Sequence, residues 1–232
     1  WAGLASPTLA AQVMALEPAQ HAVALDEDYL DEIAAAFGQV VDAKSPFTAG
    51  HSARVGLYAD LISEQCELPA ARRRWLRRGA LLHDVGKLGV SNAILDKPGR
   101  LDDEEMAAIR RHAQYTEDIL ARIDAFAELS RVAGAHHERL DGLGYPRGLR
   151  GDAIPFETRI ITTADIFDAL SAERPCRPAV PVDQTLALMR GLVGSALDAR
   201  CYEALCRVVE QLRLDEHGAA NSLLPPKTSL AA

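Results

Sequence analysis

The chain has 232 residues, 48% of them hydrophobic, enough to bury a substantial core as one large domain or one domain with appendages. A formal net charge of −8 argues against general nucleic-acid binding. Aromatic residues make up only 5%, and alanine is abundant, which favours helix.

Residues 1–25 read as an N-terminal extension. Trp1 in place of Met leads to the expectation of an excised or processed chain, with an upstream regulatory domain left open. Acidic Asp26, Glu27 and Asp28 suit the positive end of a helix over about 26–43, with Leu30, Ile33, Phe37, Val40 and Val41 as its apolar stripe. A second helix over about 50–66 carries Val55, Tyr58, Leu61 and Ile62. Pro69 opens a third through Trp75, Leu76, Ala80 and His83, ending near Gly86. Its run of Arg72, Arg73, Arg74, Arg77 and Arg78 reads as a solvated face in preference to a phosphate-binding patch. Residues 86–101, with Gly86, Gly89, Pro98 and Gly99, are expected to be non-helical.

Asp102 suits the N-cap of a helix through Met106, Ile109 and His112. The next helix holds Leu129, Val132, Ala133 and His136. Residues 141–155 are too rich in glycine and proline for a helix or strand interior. Their interleaved Leu, Tyr and Ile point to an ordered loop beside a site. Helices over about 156–172, 182–194 and 199–213 complete an all-α domain spanning 26–214. Residues 215–232 read as a mobile tail. No stretch is apolar enough to span a membrane, and no signal peptide is visible. Cys66, Cys176, Cys201 and Cys206 form no CxxC pair, so a reduced, cytoplasmic protein is expected.

Five of the seven histidines belong to a dispersed pattern with paired acids: His51, His83, Asp84, His112, His136, His137 and Asp165. Any one histidine is more often a surface or satisfied core residue than a ligand. Two tight clusters weigh against that reading here: His-Asp at 83–84 and His-His at 136–137. Imidazole with carboxylate and no thiolate is the donor set of a hydrolytic metal centre. A catalytic zinc takes three protein ligands, so seven candidates imply at least two ions, with Asp84 the natural bridge. Paired ions lower the pKa of a water and clamp both the attacking and the leaving oxygen of a phosphoryl displacement. Lys87, three residues beyond Asp84, suits a phosphate-oxygen contact; a helix-terminal lysine answering the dipole is the bland alternative.

These motifs resemble the HD superfamily of metal-dependent phosphohydrolases. Asp141-Gly142-Leu143-Gly144-Tyr145-Pro146, following His136-His137-Glu138, resembles its HD-GYP subfamily. Further matching pieces are Thr48 to Val55, Lys97-Pro98-Gly99, Gly148 to Gly151, Ala164 to Leu170 and Arg174 to Arg177. The similarity covers about residues 44–200.

The resemblance implies a helical phosphodiesterase that hydrolyses cyclic di-GMP to pGpG, and in some members on to GMP, through a metal-bridged hydroxide. It implies metal ligands His51, His83, Asp84, His112, His136, His137 and Asp165, and catalytic Asp84 and Lys87. Lys87, Tyr145, Arg174 and Arg177 would contact substrate. The expected cofactor is two divalent ions, iron foremost, with manganese, nickel or zinc as alternatives. Phe47 stands where three-metal members carry Glu, which is why two ions are expected. Thr116 replaces a usual Gly, Cys176 a common Tyr, and Ser91-Asn92 a usual Pro-acid pair. Two other readings stay open: a non-catalytic cyclic di-GMP sensor or protein-docking module, and an HD phosphohydrolase acting on another nucleotide. A signalling-protein partner and a homodimer are likewise open.

Overall fold

The computed structural model describes residues 25–173 and 178–222, with residues 8, 11–12 and 15–16. Among these the fold is all-helical, with two isolated β-bridges and no strand. Among the described residues from Glu27 onward, nine α-helices follow one another: α1 (Glu27–Asp42), α2 (His51–Gln65), α3 (Ala70–Leu82), α4 (Asn92–Leu95), α5 (Asp103–Leu120), α6 (Ala127–Gly134), α7 (Phe156–Ser171), α8 (Val182–Arg190) and α9 (Ala199–Ser222).

Local chemistry sets the helix starts. Asp26 accepts from the Tyr29 amide at 2.8 Å and so caps α1. At α5, Asp102 Oδ1 accepts from the Glu105 amide (2.8 Å) while Glu105 Oε2 accepts from the Asp102 amide (2.9 Å), a reciprocal capping box. Pro69, Pro155 and Pro181 stand immediately before α3, α7 and α8.

Helix α3 lies at the centre. Leu76 and Ala80 face one apolar cluster with Val55, Ile62, Ile160, Ile161, Phe167 and Leu205. Leu81 and Leu82 face a second cluster with Leu30, Val41, Phe126 and Leu129. Each fully buried side chain of this kind contributes about 1.5–3 kcal/mol. The two clusters fix the direction in which the C-terminal end of α3 points, and that end delivers His83.

Several boundaries differ from the sequence reading. Helix α3 stops at Leu82. His83 still has helical dihedrals, but Asp84 has φ −100° and ψ 6°, and a 3₁₀ turn (Val85–Gly89) follows. The turn presses on α5: a Cβ on Gly86 would fall 2.0 Å from the His112 carbonyl oxygen, so only glycine fits. Residues 86–101 are therefore not wholly irregular, since that turn and α4 lie within them. Helix α6 ends at Gly134, so His136 follows the helix. Helix α9 runs to Ser222, past the tail boundary expected near Leu214; Ala219 and Ala220 are strong helix formers.

On α1, Phe37 (41%) and Val40 (55%) are exposed, while Leu30, Ala34, Gly38 and Val41 are buried. Close approach through the small Ala34 and Gly38 rotates the buried stripe away from the larger side chains. The arginine run of α3 is only partly solvated: Arg77 is exposed, and the others make ion pairs. Arg72 pairs with Glu157 (2.7 Å), Arg73 with Asp60 (3.0 Å), Arg74 with Asp31 (2.7 Å) and the buried Arg78 with Glu27 (2.6 Å). Cys66, Cys201 and Cys206 are free thiols. Among the described residues no helix is long and apolar enough to cross a membrane.

Candidate metal centre

Five segments converge on one buried point. His51 is the first residue of α2, His83 and Asp84 leave the end of α3, and His112 lies within α5. His136 and His137 follow α6, and Asp165 projects from α7. His51, His83, Asp84, His112 and His136 are buried, and His137 and Asp165 are half-buried. All seven residues singled out in the sequence meet here.

Asp84 sits in the middle. Its Oδ2 lies 3.4 Å from His83 Nε2 and 3.6 Å from His51 Nε2. Its Oδ1 lies 3.3 Å from His112 Nε2 and 3.8 Å from His136 Nε2. One carboxylate thus addresses two sets of imidazoles with its two oxygens. Asp165 Oδ1 closes the first set, 3.4 Å from His51 Nε2 and 4.0 Å from His83 Nε2. The His137 ring lies against His136, centroids 4.0 Å apart, and edge-on to His112 at 5.0 Å.

The histidines are held in one orientation. His83 Nδ1 meets the Ala80 carbonyl at 2.7 Å, His112 Nδ1 the Ile109 carbonyl at 2.6 Å, and His136 Nδ1 the Ala133 carbonyl at 2.6 Å. A carbonyl can only accept, so each Nδ1 carries a proton, and in the neutral ring that leaves the lone pair on Nε2. His112 Nε2 and His136 Nε2 approach to 3.3 Å with no proton to share. His83 Nε2 and Asp84 Oδ1 are fully buried and have no hydrogen-bond partner. An unsatisfied buried polar atom costs about 1–3 kcal/mol. Converging lone pairs and an orphaned carboxylate oxygen fit divalent cations. Three subsets have donor atoms within 4.8 Å of one another: His51, His83 and Asp84; His112, His136 and His137; His83, His136 and Asp165.

The electrostatics agree. Burial pushes Asp84 towards the neutral acid, but Lys87 and the facing imidazoles outweigh it and hold the carboxyl well below its usual range. Burial and neighbouring imidazoles depress His136, burial depresses His112, and burial takes His137 to about 3. These three are neutral at physiological pH, as ligation requires. Lys87 Nζ donates to Asp84 Oδ2, so it is tied to the central carboxylate.

Beside the cluster opens a cavity of about 510 Å³, lined among others by Arg110, His137, Tyr145, Asp165 and Ile166. The Tyr145 ring stacks on His137 with centroids 4.7 Å apart, and burial keeps its hydroxyl protonated. The glycine-rich loop is ordered by Glu138, whose buried carboxylate accepts from the Arg147 amide (2.7 Å) and the Leu149 amide (2.8 Å). A Cβ on Gly144 would fall 2.4 Å from the Arg139 nitrogen and 2.6 Å from the His137 carbonyl oxygen. The loop therefore packs directly on the histidine pair. Arg174, Cys176 and Arg177 lie outside the described residues, as does the side chain of Phe47.

Four contributors escaped the sequence reading. Thr116 bridges the turn after His83. Arg110 projects over Tyr145, its guanidinium carbon 5.4 Å from the ring centroid. Asp168 and Arg54 stand behind His51. All but Arg110 lie within quoted motifs or substitutions, but nothing in those motifs says which way the side chains point.

A model of the HD domain family matches residues 36–201. The chain belongs to the HD domain family, and residues 83–84 and 141–146 carry its HD-GYP form. It is 58% identical over 210 residues to the 3′3′-cGAMP-specific phosphodiesterase 3 of Vibrio cholerae serotype O1, covering 90% of this chain and 46% of that protein. It is 37% identical over 176 residues to the cyclic di-GMP phosphodiesterase response regulator RpfG of Xanthomonas campestris pv. campestris, covering 75% of this chain and 47% of that protein. The crystal structure of the cyclic GMP-AMP-specific phosphodiesterase V-cGAP3 of V. cholerae aligns with a TM-score of 0.55 at 51% identity, over 97% of this chain and 48% of that one. The chain spans about half the length of the curated relatives it matches.

Proposed function

We propose that the chain is a metal-dependent phosphodiesterase of cyclic dinucleotides, with 3′3′-cGAMP favoured over cyclic di-GMP as substrate. The observation that carries the reading is the pair of orphaned buried atoms, His83 Nε2 and Asp84 Oδ1, at the focus of the imidazoles. The preference for 3′3′-cGAMP rests on the 58% identity to a relative named for that substrate, against 37% to one named for cyclic di-GMP.

Two ions fit the donors. His51, His83, Asp84 and Asp165 would hold one, and Asp84, His112, His136 and His137 the other. Iron is the first candidate, and manganese, nickel or zinc suit the same donors. When bound, such a pair activates water and neutralises the charge of the phosphoryl group. Hydrolysis adds a water oxygen to phosphorus and breaks one P–O3′ bond. One of the water's protons ends on O3′ and the other on the new terminal phosphate, giving a linear dinucleotide.

The residues of the chain do the positioning. Lys87 Nζ holds Asp84 Oδ2 and keeps that carboxyl ionised. It also brings a positive charge that can answer a phosphate oxygen. Arg110 and Tyr145 form one wall of the cavity, where a guanidinium and an aromatic face suit a phosphate and a purine.

The test is hydrolysis of 3′3′-cGAMP and of cyclic di-GMP by protein loaded anaerobically with Fe(II) or Mn(II), alongside Asp84→Ala. Linear product from 3′3′-cGAMP in the wild type alone is expected. Faster turnover of cyclic di-GMP would reverse the substrate assignment. Binding without turnover in metal-loaded wild type would replace the enzyme by a sensor.

A further inference from the structure

Three buried histidines of the cluster are oriented by carbonyls of their own chain segment, each three residues back. Main-chain carbonyls are present whatever the side chain. His51 is different. It is the first residue of α2, after Gly50 in the left-handed region (φ 69°), and its Nδ1 meets a carboxylate instead: Asp168 Oδ2 at 2.7 Å.

Asp168 stands one turn beyond Asp165 on α7, on the same face. It is 1% exposed. Arg54, one turn beyond His51 on α2, grips it from the other side, Nε to Oδ1 at 2.5 Å and Nη2 to Oδ2 at 3.1 Å. Two helices thus present matched pairs: His51 and Arg54 on α2, Asp165 and Asp168 on α7. The outer members hold each other, and the inner members face the centre.

We propose that Asp168, locked by Arg54, is a positioning residue that fixes the tautomer and aim of His51 and thereby sets the affinity of the cation held through His51. An ionised acceptor at Nδ1 makes Nε2 a stronger donor than a carbonyl would. Fixing the ring in advance also removes an ordering cost at binding. The inference rests on the metal-centre reading and adds one site-specific claim: one cation depends on a side-chain carboxylate, while the donors oriented by main chain do not.

The test is Mn(II) binding to the metal-free 232-residue chain, read by calorimetry and by competition with a chelator, without substrate. His51→Ala identifies the phase of the isotherm that belongs to His51. Asp168→Asn keeps the shape and removes the charge. It is expected to weaken that phase about 10–100-fold, leave the other phase in place, and have no further effect when added to His51→Ala. Arg54→Gln, at a half-exposed position, is expected to weaken the same phase by a smaller factor, and serves alone if Asp168→Asn does not fold. Unchanged isotherms in both variants overturn the proposal. So does equal weakening of both phases, or an effect of Asp168→Asn that persists in His51→Ala, because either marks a general structural contact. If the wild type binds no Mn(II), Fe(II) or Zn(II), the metal-centre reading itself fails, which is a separate result.

Discussion

Thr116 donates its hydroxyl to the His83 carbonyl at 2.8 Å and accepts from the Gly86 amide at 3.0 Å. One fully buried side chain on α5 therefore satisfies both ends of the turn that contains Asp84. The central carboxylate of the cluster is aimed from outside its own segment. The Thr116 side chain is a clamp.

Thr116→Val removes both hydrogen bonds at constant volume. The Gly86 amide and the His83 carbonyl lose a partner in a buried place, at about 1–3 kcal/mol for each group left unsatisfied. Equilibrium urea unfolding of metal-free protein should register this loss, and Thr116→Ser should recover most of it. A Val variant as stable as wild type would mean that the turn holds itself.

Gly86→Ala forces a methyl to within 2.0 Å of the His112 carbonyl oxygen. Helix α5 or the turn must shift. Overpacking of this kind costs about 1–3 kcal/mol, and the shift separates Asp84 from His112. Reduced melting temperature and weakened metal binding should appear together. A variant with wild-type melting and metal content would show that α5 tolerates the displacement.

The pH dependence of the metal-free chain follows from the direction of the shifts. His112, His136 and His137 have folded-state pKa values below the ordinary 6.5, His137 near 3. The unfolded chain binds more protons in that window, so stability rises with pH there and flattens above 6.5. Each such imidazole contributes a slope of up to about 1.4 kcal/mol per pH unit. His51 runs the other way: burial lowers it, but the Asp168 contact and the nearby acids raise it overall. Its contribution is complete below 6.5 and is lost as pH rises through its folded value. Asp84, held low, contributes above the usual carboxylate value near 3.8, and that contribution is lost in stronger acid. Denaturation midpoints in chelator should therefore climb between pH 4 and 6.5. A flat profile there would mean that the imidazoles are solvated.

Arg110 lines the cavity over Tyr145, on the helix that carries His112. A hydrogen bond to a charged group is worth about 1.5–3 kcal/mol. Arg110→Ala should therefore raise KM for a cyclic dinucleotide about 10–100-fold while Mn(II) binding stays at the wild-type level. A fall in kcat at unchanged KM would place the arginine in the chemical step.

Much of the helical pattern was legible in the chain. Asp102 announces the start of α5 and Pro69 that of α3, because capping is settled within a few residues. The break after Leu82 was not legible. His83 and Asp84 continue an apolar helical run, and only the close approach of α5 to Gly86 shows that the chain turns there. Phe37 and Val40 misled for a related reason. Periodicity finds an apolar stripe but not which small residues let a neighbouring helix come nearest.

The sequence by itself determined the chemical inventory: scattered imidazoles and acids without thiolates, in clusters too improbable for chance, on helices it could largely delimit. Residue type and local spacing carry that information. The tertiary structure alone decided that Asp84 lies between two sets of imidazoles, that Thr116 holds its turn, and that Asp168 and Arg54 stand behind His51. The contacts of Thr116 with its turn and of Asp168 with His51 join residues 30 to 117 positions apart. They follow from how helices pack around α3, which no short stretch of chain encodes.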